Sequence, residues 1–173
     1  MSGEEISFGL IPEDMSADLC QEFQLERGDL FSEYRSQPSI QIPNTTAPNV
    51  CGEVIGDGNC LYRAICLAIS GSETSYNQLR QMTALELNIN RRNFANIPED
   101  TIQELIDSAL TDGDWGQESH IIALSLALRI RIYVFNRIRQ PSRWDPIFIT
   151  FKPNCDFDQV DCLYKSNCSI IYV

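Results

Sequence analysis

The chain has 173 residues, a formal net charge of −11 and an ordinary globular composition in which 43% of the residues are hydrophobic. This length suits one domain, and the acidity disfavours nucleic acids and anionic membranes as partners, because their phosphate groups would be repelled. No apolar run approaches the roughly 20 residues that a membrane-spanning helix needs.

The cysteines and the N-terminus together predict an intracellular, cytoplasmic protein. The first 20 residues carry acids where a signal peptide has a basic region and an apolar core. The seven cysteines are odd in number and show no C-x-x-C spacing, and the chain has one histidine. We therefore expect thiols rather than disulfides, no metal site and no cofactor.

Residues 1–47 are predicted to be a lead-in or linker, and the sequence leaves open whether they belong to the domain. A short helix is predicted around residues 19–23 or 30–34. The stretch "SQPSIQIPNTTAPN" contains three prolines and several polar turn residues, which is typical of a linker or an irregular wall. The main domain is predicted over residues 48–173.

Four helices are predicted after residue 50. The first, "CLYRAICLAIS", ends at a glycine, and the third, "PEDTIQELIDSAL", has acids in its first turn, where the helix dipole favours them. The fourth, in "DGDWGQESHIIALSLALRI", is apolar nearly all round and is expected to be buried. The second, in "SYNQLRQMTALELNINRRNF", is predicted to have an apolar face formed by Leu79, Met82, Leu85 and Ile89.

Strands follow the helices. The segments "RIRIYVFN" and "PIFITF" are rich in β-branched and aromatic residues, and "VDCLYK" with "SIIYV" predicts a closing hairpin. Because helices come first and strands later, the fold class is predicted as α+β, with helices flanking a small, mostly antiparallel sheet.

Cys60 follows the glycine turn "GDGN" at the start of the first of these helices. The unpaired N–H groups and the dipole of a helix N-terminus stabilise a thiolate, and the same N–H groups can bind an oxyanion. Asp57 and Asn59 can shape the turn or donate to the oxyanion, and Gly58 lets a substrate backbone come close. The alternative is a small buried cysteine, which is common in proteins. From these residues alone, both interpretations stay open.

Four blocks of the chain resemble the ovarian-tumour (OTU) family of cysteine proteases, which are deubiquitinases with a papain-like layout. "DGNCLYRAI" is similar to the family's nucleophile motif, and "YNQLRQMTALELNIN" to the helix that follows it. "WGQESHIIALSLALRIRIYVFN" resembles the family's tryptophan-glycine turn, buried helix and strand, and "CLYKSNCSIIYV" its final hairpin. The resemblance implies a papain-like OTU domain over residues 48–173.

The resemblance also implies a function and a set of site residues. The partner would be ubiquitin or a ubiquitin-like protein, and the reaction would be thiol-dependent cleavage of an isopeptide bond. Cys60 would be the nucleophile, and Asp57 would lie at the oxyanion site with the backbone amide of Cys60. Gly58, Asn59 and Trp115 would contact the substrate.

The family's catalytic histidine has no counterpart at its expected position. That histidine follows the "LY" of the last block by a few residues, where this chain has Cys168. Two positions later the family often has a polar residue that orients the histidine, and this chain has Ile170. The one histidine, His120, is expected to be partly exposed at a helix start. It is a poor substitute base, since a helix N-terminus disfavours its charged form.

Two features have a plainer interpretation beside the functional one. Trp115 could border a substrate channel, but an aromatic residue at a helix entry more often serves packing. The acids of the third predicted helix could bind a basic partner, but a solvated face is the commoner outcome. These acids are Glu99, Asp100, Glu104 and Asp107.

Three functional hypotheses remain at this point. The first is a working thiol isopeptidase, supported by the intact "DGNC" block. The second is a pseudoenzyme that binds ubiquitin or another protein without cutting it, supported by the missing histidine. The third is a structural remnant, or an isoform with an altered last segment, suggested by the concentration of departures from the family pattern in the final block.

Overall fold

The structure, a computed structural model, describes residues 11–28, 54–137, 146–151 and 169–172. No helix in these ranges is both long and apolar enough to cross a membrane. The four helices predicted after residue 50 are confirmed. In chain order the elements are α1 (Glu13–Glu22), α2 (Cys60–Ser70), α3 (Tyr76–Ile89), a 3₁₀ helix (Arg91–Phe94), α4 (Glu99–Leu110), α5 (Glu118–Leu128), β1 (Arg131–Arg137), β2 (Pro146–Phe151) and β3 (Ser169–Tyr172).

Helix α2 lies in the core and fixes the position of its own first residue, Cys60. Leu61, Ile65 and Ile69 are fully or almost fully buried among residues of α1, α3, α5 and β1. Each such side chain stabilises the fold by about 1.5–3 kcal/mol through burial. The helix ends as predicted at Gly71, whose φ of 75° is the left-handed conformation that glycine adopts without steric cost.

Residues 11–28 contribute side chains to the same core. Met15 and Leu19 are buried against the residues of α2. The buried hydroxyl of Ser16 donates a hydrogen bond of 2.6 Å to the carbonyl oxygen of Ile69. Of the two short helices considered for this part of the chain, the first is observed as α1, and the second lies outside the described residues.

The buried face of α3 differs from the predicted one. Leu79 is buried as expected, but Leu85 and Ile89 are exposed by 56% and 66%. Arg80 and Thr83 lie inside instead, together with Ala84 and Leu87. The prediction failed because a charged residue is assigned to the solvent-exposed face when only the apolar pattern is known. The guanidinium of Arg80 is buried because it donates to hydrogen-bond acceptors in the interior.

The sheet has the strand order β2-β1-β3. β1 pairs with β2 antiparallel, with Ile132 opposite Phe151, and with β3 parallel, with Arg131 opposite Ser169. The segments "RIRIYVFN", "PIFITF" and "SIIYV" therefore contain strands as predicted. The segment "VDCLYK", the other half of the predicted closing hairpin, lies outside the described residues. Because one of the two described pairings is parallel, a mostly antiparallel sheet stays a prediction.

His120 joins the start of α5 to the end of α4. Its Nδ1 accepts a hydrogen bond of 3.0 Å from the backbone N–H of Gln117, so its Nε2 carries the proton and donates to the carbonyl oxygen of Leu105 at 2.9 Å. The side chain is fully buried, so the expected partial exposure was wrong. Burial lowers the pKa of His120, and the nearby charge of Arg80 lowers it further. The imidazole is therefore a neutral structural link.

Acid should destabilise the protein through His120. Because the pKa of this group is lowered in the folded state, the unfolded chain binds its proton first as the pH falls below about 6.5. The free energy of unfolding should then fall by up to about 1.4 kcal/mol per pH unit between pH 6.5 and 5. Urea unfolding across this range measures the slope.

The matched control for this experiment is His120→Asn, which removes the chain's one histidine. We expect this variant to be less stable at pH 7, because the links to Gln117 and Leu105 are lost, and to show a flat profile between pH 6.5 and 5. An unchanged slope in His120→Asn would contradict the assignment.

Candidate active site

Cys60 is the first residue of α2 and lies beside the nucleophile turn, residues 56–59. Cys60 is a partly exposed cysteine, whereas Cys20 and Cys66 are buried. The backbone N–H of Asn59 donates to Oδ1 of Asp57 at 3.0 Å, which closes the turn just before the helix. The helix's own hydrogen-bond ladder starts when the N–H of Arg63 donates to the carbonyl of Asn59 at 2.9 Å. A thiol at this place faces the unpaired N–H groups of a first helical turn.

The nucleophile turn rests on a second glycine turn, residues 111–114, which we call the brace turn. Gly58 has a φ of 87°, and a Cβ added to it would overlap the carbonyl oxygen of Gly113. Gly113 also has a positive φ, of 85°, but a Cβ there would meet only the carbonyl oxygen of Asp57 at an ordinary 3.5 Å. The Cβ position of Gly58 is thus occupied by the backbone of the brace turn, while contact of this residue with a substrate stays a prediction.

The side chain of Asn59 ties the two turns together. Its Oδ1 accepts hydrogen bonds from Nη1 of Arg80 at 2.9 Å and from the backbone N–H of Gly113 at 3.0 Å. Only 1% of Asn59 is exposed. Its amide therefore faces the interior, which leaves the backbone alone for the predicted contact with substrate.

Arg80 holds both turns, and its burial in this place is the feature that the sequence did not predict. Besides Asn59, its guanidinium donates to the carbonyl oxygens of Ser108 (2.8 Å), Thr111 and Asp114 (3.1 Å). It also lies over the ring of Tyr62, with 4.5 Å from its central carbon to the ring centroid. The "LR" pair within an apolar helix pattern was the only signal for it, because its partners are backbone groups that a sequence does not display.

The carboxylate of Asp57 pairs with Arg63. Nε of Arg63 lies 3.1 Å from both carboxylate oxygens, and Nη2 lies 2.6 Å from Oδ2. This forked pair, with the Asn59 N–H, holds the pKa of the Asp57 carboxyl well below its usual range. An ionised carboxylate accepts hydrogen bonds and donates none. The side chain of Asp57 therefore cannot donate to an oxyanion, and only its backbone N–H remains for the predicted oxyanion site.

Trp115 follows the brace turn and is 71% exposed. The packing interpretation of this residue was wrong, because its indole lies mostly in solvent. A large exposed aromatic side chain next to the turn that braces Asn59 stays available for the predicted contact with substrate.

The acids of α4 lie on its exposed face, in agreement with a solvated surface. Glu99 forms an ion pair with Arg91 of the 3₁₀ helix, and Asp107 accepts a hydrogen bond of 2.9 Å from Gln103. These contacts of Glu99 and Asp107 are local.

No imidazole is available to Cys60. The chain has one histidine, and both ring nitrogens of His120 are bound to backbone groups in the interior. Cys168, at the position expected for the family's histidine, lies outside the described residues, directly before β3. The site therefore offers a thiol, a helix N-terminus and a fixed glycine turn.

A substitution at Gly58 should damage the site more than the same substitution at Gly113. Gly58→Ala adds a backbone clash to the left-handed strain of about 1–2 kcal/mol, whereas Gly113→Ala adds the strain alone. We expect Gly58→Ala to lower the free energy of unfolding by more than about 2 kcal/mol and Gly113→Ala to lower it by about 1–2 kcal/mol. Urea titration measures both losses. Equal losses in the two variants would show that the close approach of the turns is not needed.

Comparisons with known proteins agree with this geometry. A family model described as OTU-like cysteine protease matches residues 55–170. OTU domain-containing protein 1 of Mus musculus is 30% identical over 81 residues, which are 47% of this chain and 18% of that protein. The OVARIAN TUMOR DOMAIN-containing deubiquitinating enzyme 7 of Arabidopsis thaliana is 33% identical over 94 residues, 53% of this chain and 24% of that protein. This chain thus matches less than a quarter of the length of these relatives.

A solved structure titled "Structure of OTUD1 OTU domain" superposes with a TM-score of 0.55 at 23% identity, over 69% of this chain and 75% of that one. This likeness shows the papain-like OTU fold. The family model covers well over half of the chain, including Cys60 and its turn. The chain therefore belongs to the OTU-like cysteine protease family.

Proposed function

We propose that the chain is a slow thiol isopeptidase that cleaves ubiquitin, or a ubiquitin-like protein, from lysine side chains. The observation that supports this most directly is the thiol of Cys60, a partly exposed residue at the N-terminus of α2, beside a glycine turn that is held on both sides. Membership of the OTU family, and a relative that is named a deubiquitinating enzyme, point to the same substrate class.

The residues of the site define the steps of the reaction. Sγ of Cys60, as a thiolate, attacks the isopeptide carbonyl carbon, and the backbone N–H groups of Cys60 and Asp57 bind the oxyanion. Collapse of this intermediate breaks the C–N bond, and the lysine amine leaves with a proton taken from water. A second water then hydrolyses the thioester and restores the thiol. Because no imidazole moves the protons, turnover should be about 10²–10⁴-fold slower than with a positioned base.

A second candidate function is binding without cleavage. One observation favours it. Both ring nitrogens of His120, the single histidine of the chain, are hydrogen-bonded to backbone groups, so this imidazole cannot serve as a base. The exposed indole of Trp115 and the net charge of −11 would then serve recognition, since ubiquitin presents a basic face. The two candidates share a partner and differ only in chemistry.

Two other expectations accompany this proposal. An intracellular, cytoplasmic location suits a protein with an odd number of cysteines and a nucleophilic thiol. A mostly antiparallel sheet would result if the segment before β3 pairs with it as the closing hairpin.

The two candidate functions are separated by a ubiquitin whose C-terminus carries an electrophile, used together with diubiquitin. The isopeptidase proposal predicts a covalent adduct at Cys60, slow cleavage of diubiquitin, and loss of both in Cys60→Ala. Cys66→Ala is the matched control, because this buried thiol lies on the same helix and should leave the adduct unchanged. Binding without adduct or cleavage would support the second candidate, and absence of binding would reject both in favour of a structural remnant.

The alignment of the last block predicts a gain of function. In Cys168→His an imidazole occupies the position where the family has its base, so diubiquitin cleavage should rise by about 10²-fold or more if the alignment is right. Cys155→His is a control for a histidine introduced elsewhere in the C-terminal part of the chain and should have no effect. A folded Cys168→His variant with unchanged cleavage would count against the alignment.

A further inference from the structure

A set of polar contacts surrounds the exposed side of the nucleophile turn. The guanidinium of Arg63 binds Asp57 in a forked pair, and its central carbon lies 3.9 Å above the ring centroid of Tyr76. The hydroxyl of Tyr76 donates a hydrogen bond of 2.9 Å to Asp112, which lies in the brace turn. Asp57, Arg63, Tyr76 and Asp112 thus form a continuous chain of contacts between the two turns.

The backbone closes this chain of contacts into a ring. Asp112 is followed by Gly113, whose N–H donates to Oδ1 of Asn59 at 3.0 Å. The N–H of Asn59 in turn donates to Oδ1 of Asp57 at 3.0 Å. Each turn is therefore attached to the other twice, once through the interior by Asn59 and once along the surface by Arg63.

Arg63 lies on the first turns of α2, close to the nucleophile turn, and its side chain is mostly buried. It follows Cys60 by three residues on α2, so the two side chains lie on the same side of the helix. Only 11% of its side chain is exposed, compared with 34% for Asp57. A second acid, Glu73, lies 3.8 Å from Nη1 and also accepts the backbone N–H of Ile55 at 3.2 Å. The guanidinium is thus held on several sides.

The charge of Arg63 has a direct consequence for the thiol. Asp57 lies three residues before Cys60, and its carboxylate is ionised. Without Arg63, an uncompensated negative charge would remain near the place where the thiolate forms, and like charges disfavour each other's ionised forms. The carboxylate would also lose the partner that holds it in place. Because this carboxylate accepts the backbone N–H of Asn59, the orientation of the turn would then be less well fixed.

We propose that Arg63 is a positioning residue of the thiol site: by binding Asp57 it neutralises the carboxylate of the turn that precedes Cys60 and aligns the nucleophile turn with the brace turn. This role rests on Cys60 being the nucleophile of the proposed function. In this role Arg63 acts through Asp57.

Three variants test the role: Arg63→Met, which keeps most of the aliphatic stem, Asp57→Asn, and the two combined. Cys60 is first alkylated with iodoacetamide across pH 5–10 and followed by peptide mass spectrometry, a readout that needs no ubiquitin. Arg63→Met should move the midpoint of this profile upward by about 0.5–1 pH unit, because the carboxylate is left uncompensated. Asp57→Asn/Arg63→Met should return the midpoint to the wild-type value.

The second readout is the rate of adduct formation with the electrophilic ubiquitin. Arg63→Met should slow this reaction by about 10- to 100-fold, since a misaligned nucleophile loses rate of this order. Arg91→Met is the matched control, because Arg91 also pairs with a carboxylate, Glu99, but lies on the 3₁₀ helix. It should leave both readouts unchanged.

The outcomes are distinct. An unchanged midpoint and rate in Arg63→Met overturn the proposal. A shifted midpoint that the double variant does not restore, accompanied by a lower thermal unfolding temperature, also overturns it and assigns Arg63 to general stability. If the wild-type protein forms no adduct with the ubiquitin probe, the proposed function fails, while the alkylation profile still decides the role of Arg63.

Discussion

One buried charge, the guanidinium of Arg80, organises the fold around Cys60. It is 1% exposed and binds the nucleophile turn through Asn59, the brace turn through Asp114, and the end of α4 through Ser108. Burying a charge is costly unless it is compensated. Here the compensation comes from the carbonyl oxygens of Ser108, Thr111 and Asp114, at and just after the C-terminus of α4, where the helix dipole is negative. The oxygens of Ser108 and Thr111 also accept a backbone N–H, so the guanidinium adds a second donor to each of them.

Two arginines hold the nucleophile turn, one from the interior and one near the surface. Arg80 binds neutral acceptors in the interior, so it determines where the turn lies relative to α3 and α4. Arg63 binds the ionised Asp57 near the surface, so it compensates the charge of that carboxylate. The turn before Cys60 is thus held from two sides, and prior alignment of donors is what an oxyanion site requires in general.

The local features of the chain were predictable, and the long-range ones were not. The bounds of α2, its end at Gly71 and the glycine turn before Cys60 follow from spacing and turn chemistry between near neighbours in the chain. Arg80 was missed because a cation on a helix is assigned to solvent unless its acceptors are known, and those acceptors come from α4 and the turns beside it. The burial of His120 was missed for the same reason, since Nε2 binds a backbone oxygen fifteen residues away.

The packing of residues 11–28 and the exposure of Trp115 have the same physical origin. The N-terminal segment has the composition of a lead-in, and it joins the core only because α2 offers an apolar surface and the Ile69 carbonyl accepts the Ser16 hydroxyl. The indole of Trp115 is a large apolar group that would favour burial. It stays exposed because Trp115 follows a turn whose backbone is held in place by Arg80 and Asn59. In both cases the position of the backbone decides, and it is set by contacts distant in sequence.

The way the turn is held also explains how a nucleophile site can persist beside a missing base. The contacts of Gly58, Asn59 and Arg80 stabilise the fold, so replacing any of them costs folding free energy whether or not the domain cleaves a substrate. A histidine that served only proton transfer carries no such cost, and its position can change without unfolding the protein. The geometry around Cys60 is thus kept by the stability of the fold, independently of any base.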